Sequence, residues 1–156
     1  MYDLEVYSVV RKYCDTWNKM LLQYEEYAKR LGMSYSTLQV FCMIYNEKGC
    51  TQKQICEHTF LPKQTVSAIV SGFIKQGKVQ MTRAEADGRS KVIHLTESGK
   101  AYADSVVPNI RIAECAAFEY LNSEEQELLI KLTQKYTEHF SIKLVEVTQD
   151  VSSIHE

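Results

Sequence analysis

The stretch TQKQICEHTFLPKQTVSAIVSGFIKQGKV, residues 51–79, carries the signals for two short helices joined by a tight turn. Thr51 and Gln54 form a Thr-x-x-Gln capping pattern, which predicts a first helix that ends near His58. Pro62 stands where a second helix begins, at a first-turn position at which its missing N–H costs little. The apolar residues of the second helix share one face, and they are Val66, Ile69, Val70, Phe73 and Ile74. The pattern predicts a helix-turn-helix.

The second helix is followed by a change in periodicity. Gly77 is suited to the left-handed residue that often ends a helix. After it, Val79–Arg83 alternates apolar and polar residues, and Lys91–Leu95 is a second run rich in β-branched residues. Between the runs, Asp87-Gly88 is a hairpin turn signal. The two runs predict a hairpin with a charged tip directly after the helix-turn-helix.

Amphipathic segments precede the helix-turn-helix. An apolar stripe from Leu4 to Leu31 predicts a long N-terminal helix, which Gly32 ends. Another helix is predicted between this one and the helix-turn-helix, with Ser36 and Gln39 as its capping box. The predicted buried face of the helix that begins near Ser36 comprises Leu38, Phe41, Cys42 and Tyr45.

Two further helices are predicted after the hairpin. Thr96 is a plausible cap for a helix that runs to about Leu121 and bends near Pro108, where one backbone donor is missing. Asn122 and Glu125 form the capping pattern of the last helix. Its apolar stripe consists of Leu128, Leu129, Leu132, Tyr136, Phe140, Leu144 and Val147.

Basic residues are concentrated in the middle of the chain. The 156 residues carry a formal net charge of −2, yet residues 51–100 carry eight basic and four acidic side chains, a balance of +4. Residues 1–50 carry six of each sign, and residues 101–156 carry four basic and ten acidic side chains, a balance of −6. This distribution suits a protein that places its middle against phosphates and keeps its end away from them.

The remaining composition is typical of a globular protein. Apolar residues make up 45% of the chain, and no run approaches the ~20 apolar residues of a membrane span. Because the N-terminus lacks the pattern of a signal peptide, we expect a cytoplasmic location and no membrane partner. The five cysteines contain no Cys-x-x-Cys pair, which favours reduced thiols over disulfides.

Each part of the helix-turn-helix and hairpin has a physical role on a DNA duplex. A major groove about 12 Å wide admits one helix. The outer face of the second helix of the helix-turn-helix carries short side chains that suit base edges. The residues of that face are Gln64, Thr65, Ser67, Ala68 and Ser71. Arg89, at the hairpin tip, is predicted to enter a neighbouring minor groove. The predicted phosphate contacts are Lys63, Lys75, Arg83 and Lys91.

Three segments together resemble the MarR family of winged helix-turn-helix transcriptional regulators. They are VSAIVSGFIKQGKV at residues 66–79, Asp87-Gly88-Arg89, and Leu95-Thr96-Glu97-Ser98-Gly99. In that family the order is a recognition helix, a lysine-or-glutamine-glycine turn, an Asp-x-Arg wing, and a helix start of the form leucine-threonine-x-x-glycine. The flanking helices match as well, so the resemblance covers roughly residues 3–147.

The resemblance implies a mainly α fold in one domain, residues 1–156. About residues 34–95 would form the winged helix-turn-helix lobe, and about residues 3–31 and 96–147 would form dimerisation helices. It implies a homodimer that binds a near-palindromic DNA operator, in agreement with the long apolar stripes. It further implies a repressor released by a small aromatic or phenolic effector, for which no ligand residues are assigned.

The recognition helix departs from the family. Ala68 stands where many members have an arginine, and Gly72 follows within the same helix. A guanidinium that would hydrogen bond to a base edge is therefore missing, and the operator sequence does not transfer from the family. The Asp-x-Arg wing, with Asp87 and Arg89, is intact.

Cys14 provides an alternative function. It lies on the apolar stripe of the first helix and resembles in placement the peroxide-sensing cysteine of one branch of the family. A thiol-based redox-sensing regulator is therefore an alternative, although a buried structural cysteine is the more common role.

Two other classes of protein fit the sequence less well. A winged helix that binds protein instead of DNA would lack basic residues at the hairpin, whereas this chain has Arg89 and Lys91 there. An enzyme would need a glycine-rich phosphate loop, an HExxH motif or a nucleophile elbow, and the sequence contains none. Cys50, Cys56 and His58 are too unevenly spaced to predict a metal site, and no cofactor is expected.

Overall fold

The structure, a computed structural model, describes residues 3–83 and 91–152, with side chains described up to residue 148. The chain divides into two compact units, Met1–Val107 and Pro108–Glu156. The described elements are α1 (Leu4–Arg30), α2 (Tyr35–Asn46), α3 (Gln52–Thr59), α4 (Lys63–Lys75), β1 (Val79–Arg83), β2 (Lys91–Leu95), α5 (Glu97–Glu119) and α6 (Ser123–Ser152). The prediction of a mainly helical chain with one small hairpin is confirmed.

Local side-chain caps fix where the helices begin. Thr51 and Gln54 form the predicted reciprocal capping box of α3, in which each side chain accepts from the other residue's backbone N–H. Asn122 and Glu125 do the same for α6. The predicted box at Ser36 and Gln39 is wrong, because the Ser34 hydroxyl caps α2 by accepting from the backbone N–H of Thr37. Both pairs have the serine-x-x-polar spacing, so local sequence did not distinguish them.

The core of the first unit is built by α2, α3, α4, the hairpin and α5. Phe41 is at its centre, with its ring centroid 4.9 Å from that of Phe73 and 5.6 Å from that of Tyr102. Other buried members of this cluster are Val40, Met43, Ile44, Cys50, Ile55, Val66, Val70, Val79, Ile93, Ala103 and Val107. Burying this cluster is the main favourable term that holds α4 in place.

Two details of the predicted core are corrected. Ile74 was expected on the buried face of α4, but its side chain is 40% exposed because it lies at the rim of that face in the last turn. Cys42 and Tyr45 were expected on the buried face of α2, but both are only partly buried. The fully buried positions of α2 are Leu38, Val40, Phe41, Met43 and Ile44, a wider stripe than the predicted one.

The hairpin has the predicted strands in an antiparallel register. Val79 pairs with Leu95 at one end, and Arg83 pairs with Lys91 at the other. Cys50 adds an isolated bridge to Ile93, through backbone hydrogen bonds of 3.1 and 2.8 Å. We call β1, β2 and the connecting residues 84–90 the wing. Its strands are thereby tied to the segment that precedes α3.

A hydrogen-bonded joint connects the end of α4 to the start of α5. The Thr96 hydroxyl donates to the carbonyl oxygen of Gly77 at 2.6 Å and accepts from the backbone N–H of Gly99 at 3.0 Å. The backbone N–H of Thr96 donates to the carbonyl oxygen of Lys78 at 3.0 Å. Gly77 has a φ of 67°, in the left-handed region, as predicted for the end of α4. A Cβ at Gly99 would overlap the Lys78 carbonyl, so this position has room only for glycine.

α1 is anchored near its C-terminal end. Ala28 is fully buried, and the Tyr27 hydroxyl donates a 2.9 Å hydrogen bond to the carbonyl oxygen of Val106 in α5. Tyr24 packs against Tyr35 of α2, with ring centroids 5.5 Å apart. The N-terminal half of α1, by contrast, has large exposed apolar side chains, among them Leu4 at 75% and Val9 at 66%.

The second unit contains the end of α5 and all of α6. Pro108 lies inside α5, and the helix continues through it to Glu119. In the described part of α6 no apolar side chain is buried. None of the described helices is long and apolar enough to cross a membrane.

Candidate nucleic-acid interface

The face of α4 opposite the core is open to solvent. It carries mostly small or polar side chains because the buried apolar residues of the helix, Val66, Val70 and Phe73, lie on the other side. Gln64, Ala68 and Ser71 are exposed, whereas Thr65 and Ser67 are partly buried. A helix of 13 residues is about 20 Å long, and its exposed face is therefore large enough to contact several base pairs.

Four exposed cations lie on α4 and on the wing strands that follow it. Lys63 and Lys75 are exposed at the two ends of α4, and Arg83 and Lys91 are exposed on the wing strands. None of the four makes an ion pair within the part of the chain that the structure describes. Their charges are thus not neutralised by described side chains, as is required of residues that bind phosphate.

The ends of the wing strands nearest the tip place two like charges together. Arg83 and Lys91 are directly opposite each other in the antiparallel register. Like charges in that arrangement repel and destabilise the strand pair by a fraction of a kilocalorie. An anion bound between them would remove the repulsion, which makes this pair a reasonable phosphate contact.

A groove beside the wing reveals residues that the sequence did not single out. Its volume is about 420 Å³, and it is lined by Thr51, Gln52, Lys53, Met81 and Lys91. Lys53 is the missed cation, and its contact with Glu57 at 3.7 Å is an exposed pair that contributes little. The sequence analysis missed Lys53 because its place in this groove depends on the packing of α3 against β2, which no residue near position 53 predicts.

The tip of the wing lies outside the described residues. Asp87 and Arg89, the predicted wing pair, fall in the segment 84–90, and their predicted DNA contacts stay predictions. The strands that enter and leave this segment end at Arg83 and Lys91.

A second cavity lies between α2 and the start of α5. It has a volume of about 560 Å³ and is lined in part by Ile44, Tyr45, His94 and Leu95. At its edge Asp104 accepts hydrogen bonds from Lys100 at 2.7 Å and from the Tyr45 hydroxyl at 2.8 Å. The Lys100 ammonium and then the Tyr45 hydroxyl hold the pKa of Asp104 below its usual value. The cavity is a candidate site for the predicted small effector.

The cysteines differ in their surroundings. Cys14 and Cys115 are exposed in the single chain, so the buried role considered for Cys14 does not hold within one chain. Cys50 is buried, and this burial raises the pKa of its thiol to about 11. Among the described residues no cluster of histidine, cysteine or carboxylate side chains could hold a metal ion.

Comparison with known proteins agrees with this geometry. A family model described as the MarR family matches residues 31–90. The transcriptional regulator SarZ of Staphylococcus haemolyticus is 28% identical over 131 residues, covering 80% of this chain and 88% of SarZ. SarZ of Staphylococcus epidermidis is 29% identical over 122 residues, covering 78% of this chain and 82% of its own length.

Solved structures show the same fold. NMB1585, a MarR family regulator from Neisseria meningitidis, has a TM-score of 0.75 at 24% identity, covering 88% of this chain and 96% of its own. Sco3205, a MarR family regulator from Streptomyces coelicolor solved in complex with DNA, has a TM-score of 0.73 at 17% identity, covering 89% of each chain. The winged-helix fold class predicted from the sequence is confirmed.

Proposed function

We propose that this chain, a winged-helix protein whose residues 31–90 match the MarR family, regulates transcription by binding duplex DNA through α4 and the wing. The observation that carries the proposal is the set of four exposed cations, without described ion pairs, on α4 and the wing strands that follow it. Its relatives are transcriptional regulators and not enzymes.

In the proposed complex, α4 lies in the major groove. Gln64 and Ser71 are exposed and contact base edges, whereas Lys63, Lys75, Arg83 and Lys91 contact phosphates and set the register without reading sequence. Lys53 and Gln52, which line the groove beside β2, extend the phosphate contacts to the start of α3. Arg89, of the Asp87-Gly88-Arg89 sequence motif, is expected to enter the adjacent minor groove with its guanidinium.

The proposal includes a homodimer on a near-palindromic operator. Two copies related by a two-fold axis present two α4 helices, and an operator with the same symmetry is the natural counterpart. The exposed apolar side chains of α1 and α6 support the dimer, because a second copy would remove them from water.

Regulation is proposed to be repression that a small aromatic or phenolic effector relieves. An effector that binds better to a form of the dimer unfit for DNA lowers operator affinity, by the reciprocity of linked equilibria. The cavity of about 560 Å³ near Tyr45, which offers apolar lining and a hydrogen-bonded phenol, supports such a ligand.

A thiol switch is a second candidate, since the Cys14 thiol is exposed on α1 in the single chain. Peroxide would then weaken DNA binding by the wild-type protein and leave Cys14→Ser unaffected. Equal responses of the two proteins in a gel-shift assay would eliminate Cys14 as the sensor.

The test of DNA binding is a salt titration. The affinity of the wild-type protein for genomic duplexes is expected to fall steeply with salt, because bound cations release counterions from phosphates. Arg83→Ala and Lys91→Ala should each reduce the slope of log affinity against log salt by about 1, because each variant leaves one phosphate without its cation. Lys135→Ala, which removes an exposed cation of α6, serves as the matched control and should leave the slope unchanged. A wild-type protein that binds no duplex at low salt would refute the proposal.

A further inference from the structure

Phe60 is the most exposed large apolar side chain of the described winged-helix lobe. It lies in the turn between α3 and α4, and 90% of its surface is open to solvent. Leu61, the next residue, is partly buried and packs against the core. Core packing therefore explains the apolar side chain at Leu61, but it does not explain why an apolar ring stands at Phe60.

The backbone at Phe60 is also unfavourable for this residue. Phe60 has a φ of 56° and a ψ of 20°, in the left-handed region, where it ends α3 with its N–H bonded to the carbonyl oxygen of Cys56. Glycine and asparagine adopt that region at low cost, whereas a bulky side chain there is an outlier. An exposed ring held in a strained turn contributes nothing visible to folding, and strain retained in this way is characteristic of functional positions.

The position of the turn indicates what the ring contacts. Phe60 precedes Pro62, the N-cap of α4, by two residues, so its exposed ring belongs to the turn that leads into the helix that is proposed to enter the major groove. Lys63, exposed in that first turn, is one of the proposed phosphate contacts. Lys53 and Lys63 outnumber Glu57, the one acidic residue of α3, so these three residues carry a net charge of +1. This surface suits a polyanion that also offers an apolar group.

We propose that Phe60 reads sequence by contacting the C5-methyl group of a thymine in the major groove, a role that rests on the proposed DNA-binding function. The thymine methyl is the apolar group that base edges present in that groove, and apolar side chains recognise it. The contact supplies readout at the start of α4, and it adds to a helix whose middle residue Ala68 offers no hydrogen bond to a base.

The test removes one methyl group from the DNA and the ring from the protein. A tight duplex is first selected from a random library with the wild-type full chain, and each thymine is then replaced in turn by deoxyuridine. At one thymine in each half-site the wild-type affinity should fall about fourfold, the effect of one apolar carbon group returned to water. Phe60→Asn, which tolerates the left-handed backbone, should bind the thymine duplex at least that much more weakly and should not distinguish thymine from deoxyuridine.

Two further variants complete the test. Phe60→Tyr keeps the ring and should keep the preference for thymine. Tyr120→Ala removes an aromatic side chain of the second unit that is 91% exposed, and this variant should also keep the preference for thymine. The inference fails if Phe60→Asn binds as tightly as wild type or retains the preference, since the ring would then serve another partner. If the wild-type protein binds no duplex at all, the proposed function fails first.

Discussion

The winged-helix lobe and the terminal helices place their apolar residues differently. In α2 to β2, buried side chains such as Phe41, Ile55 and Ile93 fill a core that this segment and α5 close within one chain. In α6, large apolar side chains such as Leu132 and Phe140 remain more than half exposed. The lobe is therefore expected to owe its stability to contacts inside the chain, and the terminal helices to contacts with a second copy.

The largest expected effect is a loss of stability of the winged-helix lobe in a Gly99→Ala variant. In Gly99→Ala the new Cβ would overlap the backbone carbonyl of Lys78, which has no flexible end to move aside. We expect the free energy of unfolding to fall by about 3 kcal/mol or more, at the upper end of overpacking effects. Urea unfolding followed by circular dichroism measures it.

Gly72→Ala is the matched control for that variant. An added Cβ at Gly72 meets no atom within 4 Å, and the helix interior favours alanine, so stability should rise by up to about 1 kcal/mol. Equal stabilities for the two alanine variants would show that the joint at Thr96 and Gly99 is not tightly packed.

The second prediction addresses the terminal helices. Leu132→Glu places a charge on the apolar stripe of α6, where the wild-type side chain is 53% exposed in the single chain. If a second copy covers this stripe, the burial of an unpaired carboxylate should convert dimers to monomers in light scattering. Lys135→Glu, an exposed polar position of the same helix, should leave the dimer intact. A Leu132→Glu protein that stays dimeric would place the interface elsewhere.

The third prediction separates binding from folding at the wing tip. Arg89→Ala should weaken operator binding by about 1–3 kcal/mol, and Arg89→Lys should recover part of this, because a guanidinium suits a narrow minor groove better than an ammonium does. Melting curves of the free proteins should coincide. A loss of affinity that accompanies an equal loss of thermal stability would assign Arg89 a structural role.

The smallest expected effect concerns the buried thiol of Cys50 in the winged-helix lobe. Burial raises the pKa of Cys50 to about 11, so very little thiolate is present at neutral pH and alkylation should wait for unfolding. Because the folded pKa is the higher one, the contribution of the Cys50 thiol to stability is complete below its ordinary pKa of about 9 and is lost as pH rises towards 11. Mass spectrometry after brief alkylation of the native protein should find Cys50 unmodified. Rapid modification of native Cys50 would show that the lobe core opens easily.

Sequence alone predicted much of the fold because its signals are local. Caps such as Thr51, the left-handed Gly77 and the alternation of β1 each depend on a few neighbouring residues. The errors and omissions came from contacts distant in sequence. The place of Lys53 beside Lys91 depends on how α3 packs against β2, and the reason for Gly99 lies in the backbone at Lys78. The Ser34 cap was missed for another reason, since two equivalent local patterns competed.

The candidate site was predictable to a similar degree. The exposed face of α4 followed from helical periodicity, because the apolar stripe determines which side is open. Phe60 did not stand out in the sequence, since an aromatic residue between two helices normally suggests a core contact. Its exposure and its positive φ are visible only in three dimensions.

The hydrogen bond from Tyr27 to Val106 joins residues 79 positions apart, and this separation has a consequence during synthesis. α1 leaves the ribosome before α5, so the Val106 carbonyl that accepts the Tyr27 hydrogen bond is made only after the entire winged-helix lobe. At about 5–20 residues per second, the interval is roughly 4–16 s. Throughout that time the nascent chain carries the amphipathic α1 without its α5 partner. We therefore expect ribosome-bound chains that end before residue 106 to be the form of this protein most prone to chaperone binding and aggregation.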